Sequence, residues 1–258
     1  MQALLQTAER ISDTININNY VFQRHVIAYK SIPQEALRQK AVLELGCGNG
    51  YGMNMLAPDT SLYLGIDKKE PTTIAPGEGT QFMQLNLKQL STLPSQSFDT
   101  IICFQVIEHI QDDVVLLLQI KRILKPGGRL FLTTPNKLMS LTRNPFHIRE
   151  YTPETMHNVV GEVFQSFSIK GVSGNAIVQQ YYEANKAQVA RITKLDILNL
   201  QYRLPRWMLQ VPYNLMNNVS RLLIYKKEND LTATIHHTDF HLSEVNDKSL
   251  DFFVVAEA

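Results

Sequence analysis

The stretch Ala41-Val-Leu-Glu-Leu-Gly-Cys-Gly-Asn-Gly-Tyr-Gly52 constrains the fold of this chain more than any other. Ala41, Val42, Leu43 and Leu45 form a short, nearly unbroken apolar run, the pattern of a strand in a parallel sheet covered on both faces. Glycines follow at alternate positions, Gly46, Gly48 and Gly50, with Gly52 just beyond. Glycine takes φ > 0 at little cost, and it lets a ligand approach the main chain where a Cβ would stand. The chain then turns into a predicted helix, Tyr51 to Leu56, whose unpaired N–H groups face the loop. Strand, glycine turn and helix in that order predict a doubly wound α/β sheet with a ligand at the turn.

Such a turn also suits dinucleotide enzymes. Two details point elsewhere. Glu44 stands two residues before the first glycine, where a fixed carboxylate would repel a pyrophosphate and attract an ammonium group. The glycines are spaced G-x-G-x-G, and the G-x-G-x-x-G reading would need glycine at Tyr51. The run Val42-Leu-Glu-Leu-Gly-Cys-Gly-Asn-Gly50 resembles the first motif of the class I S-adenosylmethionine-dependent methyltransferases. The resemblance implies that the backbone of Gly46, Cys47, Gly48 and Gly50 lies against the methionine part of S-adenosylmethionine, with Glu44 near its amino group. It also implies a Rossmann-like, mostly parallel seven-stranded sheet whose last strand inserts antiparallel between the fifth and sixth.

The chain has 258 residues, 44% of them apolar and 19% charged, which describes an ordinary globular protein able to bury a core. A net charge of +1 gives no support for a dedicated nucleic-acid binder. Cys47 and Cys103 are the only cysteines, so a disulfide framework is not expected, and small buried residues with reduced cytosolic thiols fit a cytoplasmic protein. No run has the apolar length of a membrane span, and the first ten residues lack the basic start and apolar centre of a signal peptide.

Residues 1–40 read as a helical lead-in, with Tyr20, Val21, Phe22, Val26, Ile27 and Tyr29 at roughly helical spacing and Pro33 as a break. In the family that this chain resembles, such a helix is a lid, and Arg24 is the residue to reach the methionine carboxylate as a guanidinium fork. A solvated Arg24 on an amphipathic helix is the other reading. Leu62-Tyr-Leu-Gly-Ile-Asp67 is the second strand. Asp67 lies 17 positions after Gly50 (67 − 50) and can accept both ribose hydroxyls through its two oxygens, the role the resemblance implies, with Lys68 beside it. A helix-cap or turn role is the alternative. Gln81 to Asn86 is a third strand. The family usually has Asp where this chain has Asn86, whose carbonyl can accept the same bond from the adenine amino group; Leu87 completes that contact. A plain turn role for Asn86 stays open.

Thr100 to Phe104 is the core of a fourth strand, and Gln105-Val-Ile-Glu-His-Ile110 after it resembles the family's fourth motif, which adds Gln105 to the cofactor contacts. A helix from Asp112 to Leu124 and a strand from Arg129 to Thr134 flank Lys125-Pro-Gly-Gly128, and Leu124 to Leu130 is another family marker. Phe164–Val172 and Leu250–Ala256 read as the sixth and seventh strands. The domain plan is thus a lid over 1–40, a methyltransferase core over 41–174 and 246–258, and a helical insert over 175–245.

Within 186–227 the chain has eight bases (Lys186, Arg191, Lys194, Arg203, Arg206, Arg221, Lys226, Lys227) and one acid, Asp196, a balance of 8 − 1 = +7. A basic amphipathic insert suits a membrane-surface patch, a homodimer surface, a lid over an anionic substrate, or simply a solvated face.

Methyl transfer from a sulfonium is an in-line displacement, so the protein mainly aligns the acceptor and excludes water. A hydroxyl acceptor benefits from a general base, and neutral His is the usual choice near pH 7. His109, after the fourth strand, and His147, in the loop Asn144-Pro-Phe-His-Ile-Arg-Glu-Tyr-Thr-Pro153, are the candidates. In that loop Arg149 and Glu150 either serve the substrate side or pair with each other. Glu108, His109 and His147 have no ligand spacing that demands a metal, and none is expected, although some hydroxyl-methylating relatives use one. The expected function is methylation of a small-molecule acceptor, a hydroxyl on a sugar or quinone-like ring. The competing expectations are a non-catalytic module that binds S-adenosylmethionine or S-adenosylhomocysteine, and a nicotinamide-dependent oxidoreductase.

Overall fold

In the computed structural model the described residues are 18–258, apart from 73–76, 78, 195, 197 and 228. Residues 1–17 of the expected lid therefore lie outside the described residues. The first described helix, α1 (Asn19–Lys30), leads into β1 (Ala41–Leu45), and α2 (Tyr51–Leu56) follows the glycine loop as expected. Then come β2 (Leu62–Asp67), β3 (Thr80–Gln84), β4 (Phe98–Phe104), α3 (Asp113–Ile123), β5 (Leu124–Pro135), α4 (Pro153–Gly161) and β6 (Ser166–Gly174). The insert supplies α5 (Ala176–Thr193), α6 (Leu200–Arg203), α7 (Arg206–Lys227) and α8 (Asn229–Thr234), and the chain closes with β7 (Phe240–Glu244) and β8 (Asp251–Glu257).

The sheet order is β3-β2-β1-β4-β5-β8-β6-β7. Strands β1 to β5 pair in parallel, and β8 runs antiparallel between β5 and β6, where the resemblance put the last strand. One expectation needs correction: among the described residues the sheet has eight strands, not seven. The extra strand, β7, pairs antiparallel with β6 from Lys170↔Glu244 to Gly174↔Phe240. Its alternation is visible in Phe240-His-Leu-Ser-Glu244, where Phe240 is buried and His241 exposed. The segment 175–245 thus has its last α-helix end at Thr234, and after a 3-10 turn at His237–Asp239 it ends as a sheet edge.

Alternation in the central strands sends side chains to two cores. Leu43 and Leu45 of β1 join Leu116, Leu117 and Ile120 of α3 and Val160 of α4 on one face. Val42 joins Tyr29, Met53, Tyr63, Phe104 and Val178 on the other, beneath α1, α2 and α5. Glu44 shares the face of Val42, so its carboxylate is carried into the second core rather than into solvent. Both cysteines are buried, and neither is in a disulfide.

Candidate active site

The turn after β1 is built from backbone that other residues adopt only under strain. Gly46, Gly48 and Gly50 have φ of +73°, +57° and +86°. A Cβ at Gly46 would lie 2.6 Å from Val106 Cγ2, whereas a Cβ at Gly48 would meet no atom within 4 Å. The loop therefore packs tightly on the β4 side and is open at Gly48, a cradle that suits a ligand lying against the main chain. Asp67, at the end of the neighbouring strand, accepts from Gly48 N at 3.0 Å through Oδ2 and from Lys69 N at 3.0 Å through Oδ1. The acid expected near the ribose thus also fixes the glycine loop, which holds the two in register.

Glu44 is 1% exposed. Tyr29 Oη donates to its Oε1 at 2.5 Å and Tyr63 Oη to its Oε2 at 2.9 Å. Burial pushes its carboxyl up to about 7, against the pull of the two tyrosine hydroxyls. Sequence reasoning placed Glu44 but missed both tyrosines, because Tyr29 arrives from α1 and Tyr63 from β2. Cys47 is buried in the loop. Lys68 and Asn86 are exposed and Leu87 is half-buried. Asn86 caps a turn, with Oδ1 accepting from Lys88 N at 3.0 Å and Gln89 Oε1 accepting from Asn86 N. Gln105, at the carboxyl end of β4, holds φ +55°, an uncommon conformation for a residue with a side chain, and its Nε2 donates to Thr133 Oγ1 at 3.3 Å.

Helix α1 is latched over this face. Arg24 Nε sits 2.9 Å from Asp251 Oδ2 at the start of β8, and Asp251 is buried. Burial raises the Asp251 carboxyl above its usual value while Arg24 pulls it down. His25 Nδ1 meets Tyr51 Oη at 2.9 Å, and burial lowers the His25 pKa to about 3, so that imidazole stays neutral. Arg24 is therefore neither solvated nor awaiting a charge partner: Asp251 supplies one from within the chain. Arg24 still lines the cleft. The only sequence signal for Asp251 is an acid at the head of an otherwise apolar strand.

Beyond α1 a cleft of about 240 Å³ opens at the carboxyl ends of β4 and β5. Its walls include Arg24, Gln105, Glu108, His109, Asn144, His147 and Glu150, closed from the insert by Tyr181, Tyr213, Asn217 and Arg221. The two predicted histidines come together here, ring centroids 5.0 Å apart and edge to face. His109 Nδ1 donates to the carbonyl of Phe146 at 3.0 Å, which leaves Nε2 as the basic nitrogen. His147 is held at both nitrogens: Asn144 Nδ2 donates to Nε2 at 2.7 Å, and Nδ1 donates to Glu150 Oε1 at 2.7 Å. Glu108, 1% exposed, accepts from Thr134 Oγ1 at 3.0 Å. Glu108, His109 and His147 each offer a ligand atom within 4.8 Å of the others, so these three could hold a divalent ion. A metal on His147 would have to displace Asn144 or Glu150.

Arg149 and Glu150 do not pair with each other. Arg149 forms an ion pair with Asp113 at the start of α3, and Tyr151 Oη donates to the same carboxylate at 2.8 Å. The backbone N–H of Ile148 donates to the carbonyl of Glu108 at 2.7 Å. These contacts tie the 144–151 loop to the end of β4 and bring His147 to His109.

Comparison with known proteins finds similar sequences and folds. Residues 43–132 match a family described as a methyltransferase domain. The chain is 32% identical over 166 residues to a probable S-adenosylmethionine-dependent methyltransferase of Mycobacterium tuberculosis, covering 61% of this chain and 60% of that protein. It is 30% identical over 118 residues to a ubiquinone biosynthesis O-methyltransferase of Coxiella burnetii, covering 43% of this chain and 50% of that one. The chain thus spans about 60% of the length of the mycobacterial relative. A crystal structure of an S-adenosylmethionine-dependent methyltransferase from Mesorhizobium loti superimposes with a TM-score of 0.54 at 14% identity, over 92% of this chain and 98% of that one, which shows a shared fold.

Proposed function

We propose that this chain belongs to the class I S-adenosylmethionine-dependent methyltransferases, a reading that its methyltransferase-domain match and its mycobacterial relative support, and that it methylates a hydroxyl of a small-molecule acceptor, on a sugar or a quinone-like ring. The observation that carries this reading is the junction of two features at one end of the sheet. The glycine cradle bound to Asp67 opens on the same side as a cleft lined by His109 and His147. The O-methyltransferase name of the Coxiella relative supports a hydroxyl acceptor.

S-adenosylmethionine, when bound, supplies an electrophilic methyl group on a sulfonium. In this reading Gly46, Cys47, Gly48 and Gly50 receive its methionine part, and Asp67 accepts from the ribose hydroxyls. Asn86 and Leu87 border the adenine, Lys68 and Gln105 flank the ends of β2 and β4, and Glu44 supplies negative potential for an ammonium. Arg24 faces the methionine carboxylate while holding Asp251. His109 is the favoured base, because its Nδ1 proton is fixed on the Phe146 carbonyl and its Nε2 is therefore basic. His147 buttresses the cleft, with its proton held toward Glu150.

Calorimetric titration with S-adenosylmethionine and with S-adenosylhomocysteine tests the cofactor half. Micromolar binding of both is expected, and Asp67→Ala should weaken it more than tenfold, about 1.4 kcal/mol or more. An unchanged dissociation constant in Asp67→Ala would remove Asp67 from the ribose site. Release of S-adenosylhomocysteine over a panel of hydroxylated acceptors tests the catalytic half, and binding without release from any acceptor would favour the non-catalytic module.

A further inference from the structure

Helix α7 has two faces with different duties. Tyr213, Asn217, Ser220 and Arg221 turn toward the cleft. The opposite side carries Met208, Val211, Leu215, Val219 and Leu222, at steps of three, four, four and three residues, which is one helical stripe. All five are exposed; Val211 is 77% and Leu215 60% accessible. Trp207, the single tryptophan, stands at the head of the stripe at 72% accessibility. A helix normally buries its apolar stripe, so a continuous exposed one marks a surface built to be covered.

The charge around it is one-sided. From Glu183 to Leu223 there are six bases (Lys186, Arg191, Lys194, Arg203, Arg206, Arg221) and two acids, Glu183, which lies 3.9 Å from Lys186, and Asp196. Asp196 spends its carboxylate on the N–H groups of Leu200 and Gln201, at 2.7 and 3.0 Å. Arg206 donates to the carbonyl of Ile148 and Arg221, on the cleft side, to Asn18 Oδ1, whereas Arg191, Lys194 and Arg203 are exposed. None of the bases lies on the stripe itself.

We infer that this face of α7 docks on an anionic lipid bilayer surface, with the apolar stripe in the acyl boundary and the exposed bases Arg191, Lys194 and Arg203 of the same insert at the headgroup phosphates. Charge complementarity selects this occupant. A second copy meeting the same face about a two-fold axis would bring like charges together around the seam. Anionic lipid satisfies both halves of the surface at once, and Trp207 fits the interfacial depth that amphipathic rings prefer. Among the described residues no helix is long and apolar enough to cross a membrane, so α7 lies on the surface rather than spanning it. The inference stands apart from methyl transfer, since docking requires neither cofactor nor turnover.

Trp207 provides the assay. The full chain is mixed with vesicles of phosphatidylcholine, alone or with roughly a third phosphatidylglycerol, and emission and flotation are recorded. A blue shift and flotation are expected with the anionic vesicles, with partitioning at least tenfold weaker on neutral ones and reduced by ~0.5 M salt. Lys194→Glu/Arg203→Glu should lose the anionic preference, and Val211→Asp/Leu215→Asp should lose the blue shift, with circular dichroism confirming the fold of each. The two pairs probe separate halves of the surface, so misfolding of one leaves the other as the test. Unchanged emission on anionic vesicles, or equal binding to neutral ones, would overturn the proposal. So would a lipid-free blue shift that grows with protein concentration alongside a dimeric mass, which would assign the face to a second copy.

Discussion

Replacing Glu44 with glutamine isolates the electrostatic cost of the carboxylate buried beneath the glycine loop. Glu44 is fully enclosed, with Tyr29 and Tyr63 donating to its two oxygens. Burial raises its pKa from 4.5 to about 7 in the folded protein. For a group raised on folding, the contribution to stability is fully present below the unfolded value, near 4.5, and is lost as pH rises toward 7. One pKa unit is about 1.4 kcal/mol, so between pH 5 and 8 the wild type should lose about 2 to 3 kcal/mol from this group alone. Glutamine does not titrate. It also leaves one tyrosine hydroxyl poorly matched, a pH-independent cost of about 1 kcal/mol. Urea unfolding of both proteins across that pH range, without cofactor, gives the result as a difference of differences, in which other titrating groups largely cancel. The wild type should be the more stable at pH 5 and lose that margin by pH 8. A wild-type-minus-variant stability that is flat across the range would refute the reasoning. An ammonium-bearing ligand close to Glu44 would favour its anion, so binding near pH 6.5 should release a proton, visible as a buffer-dependent heat.

Arg24→Ala should destabilise the fold by roughly 3–5 kcal/mol, because it strands Asp251 as a buried charge; Arg24→Ala/Asp251→Asn should recover much of that loss in thermal unfolding. Gly46→Ala combines a φ of +73° with a Cβ 2.6 Å from Val106 Cγ2, and about 2–4 kcal/mol of lost stability is expected in denaturant unfolding. If His109 is the base, His109→Ala should lower kcat on a hydroxyl acceptor by roughly 10²-fold and leave S-adenosylmethionine binding unchanged. His147→Ala, with both nitrogens already bonded, should lower it less and raise the acceptor KM.

The candidate site was legible in the sequence as far as its chemistry is carried by short motifs. The glycine spacing, Glu44 and Asp67 follow from local needs: positive φ in a tight loop, and an acid at a strand end. The antiparallel last strand came from the family resemblance, and the structure has it between β5 and β6. Strand β7 was missed although Phe240-His-Leu-Ser-Glu244 alternates, because the helical reading of 175–234 was carried past its end. Arg149 and Glu150, adjacent in sequence, point to different partners, Asp113 and His147, since neighbours in an extended loop face apart.

What the chain determines by itself is therefore the doubly wound core and the position of the glycine loop within it. Both rest on periodicity and backbone freedom, which operate over a few residues. Only the tertiary structure decides that Arg24 serves Asp251, that Tyr29 and Tyr63 enclose Glu44, and that His109 and His147 share one cleft. Each of those pairings joins residues from separate elements. Their energies depend on burial, which raises the Glu44 and Asp251 carboxyls and holds His25 neutral, and burial is a property of the packed layers that no single stretch of sequence contains.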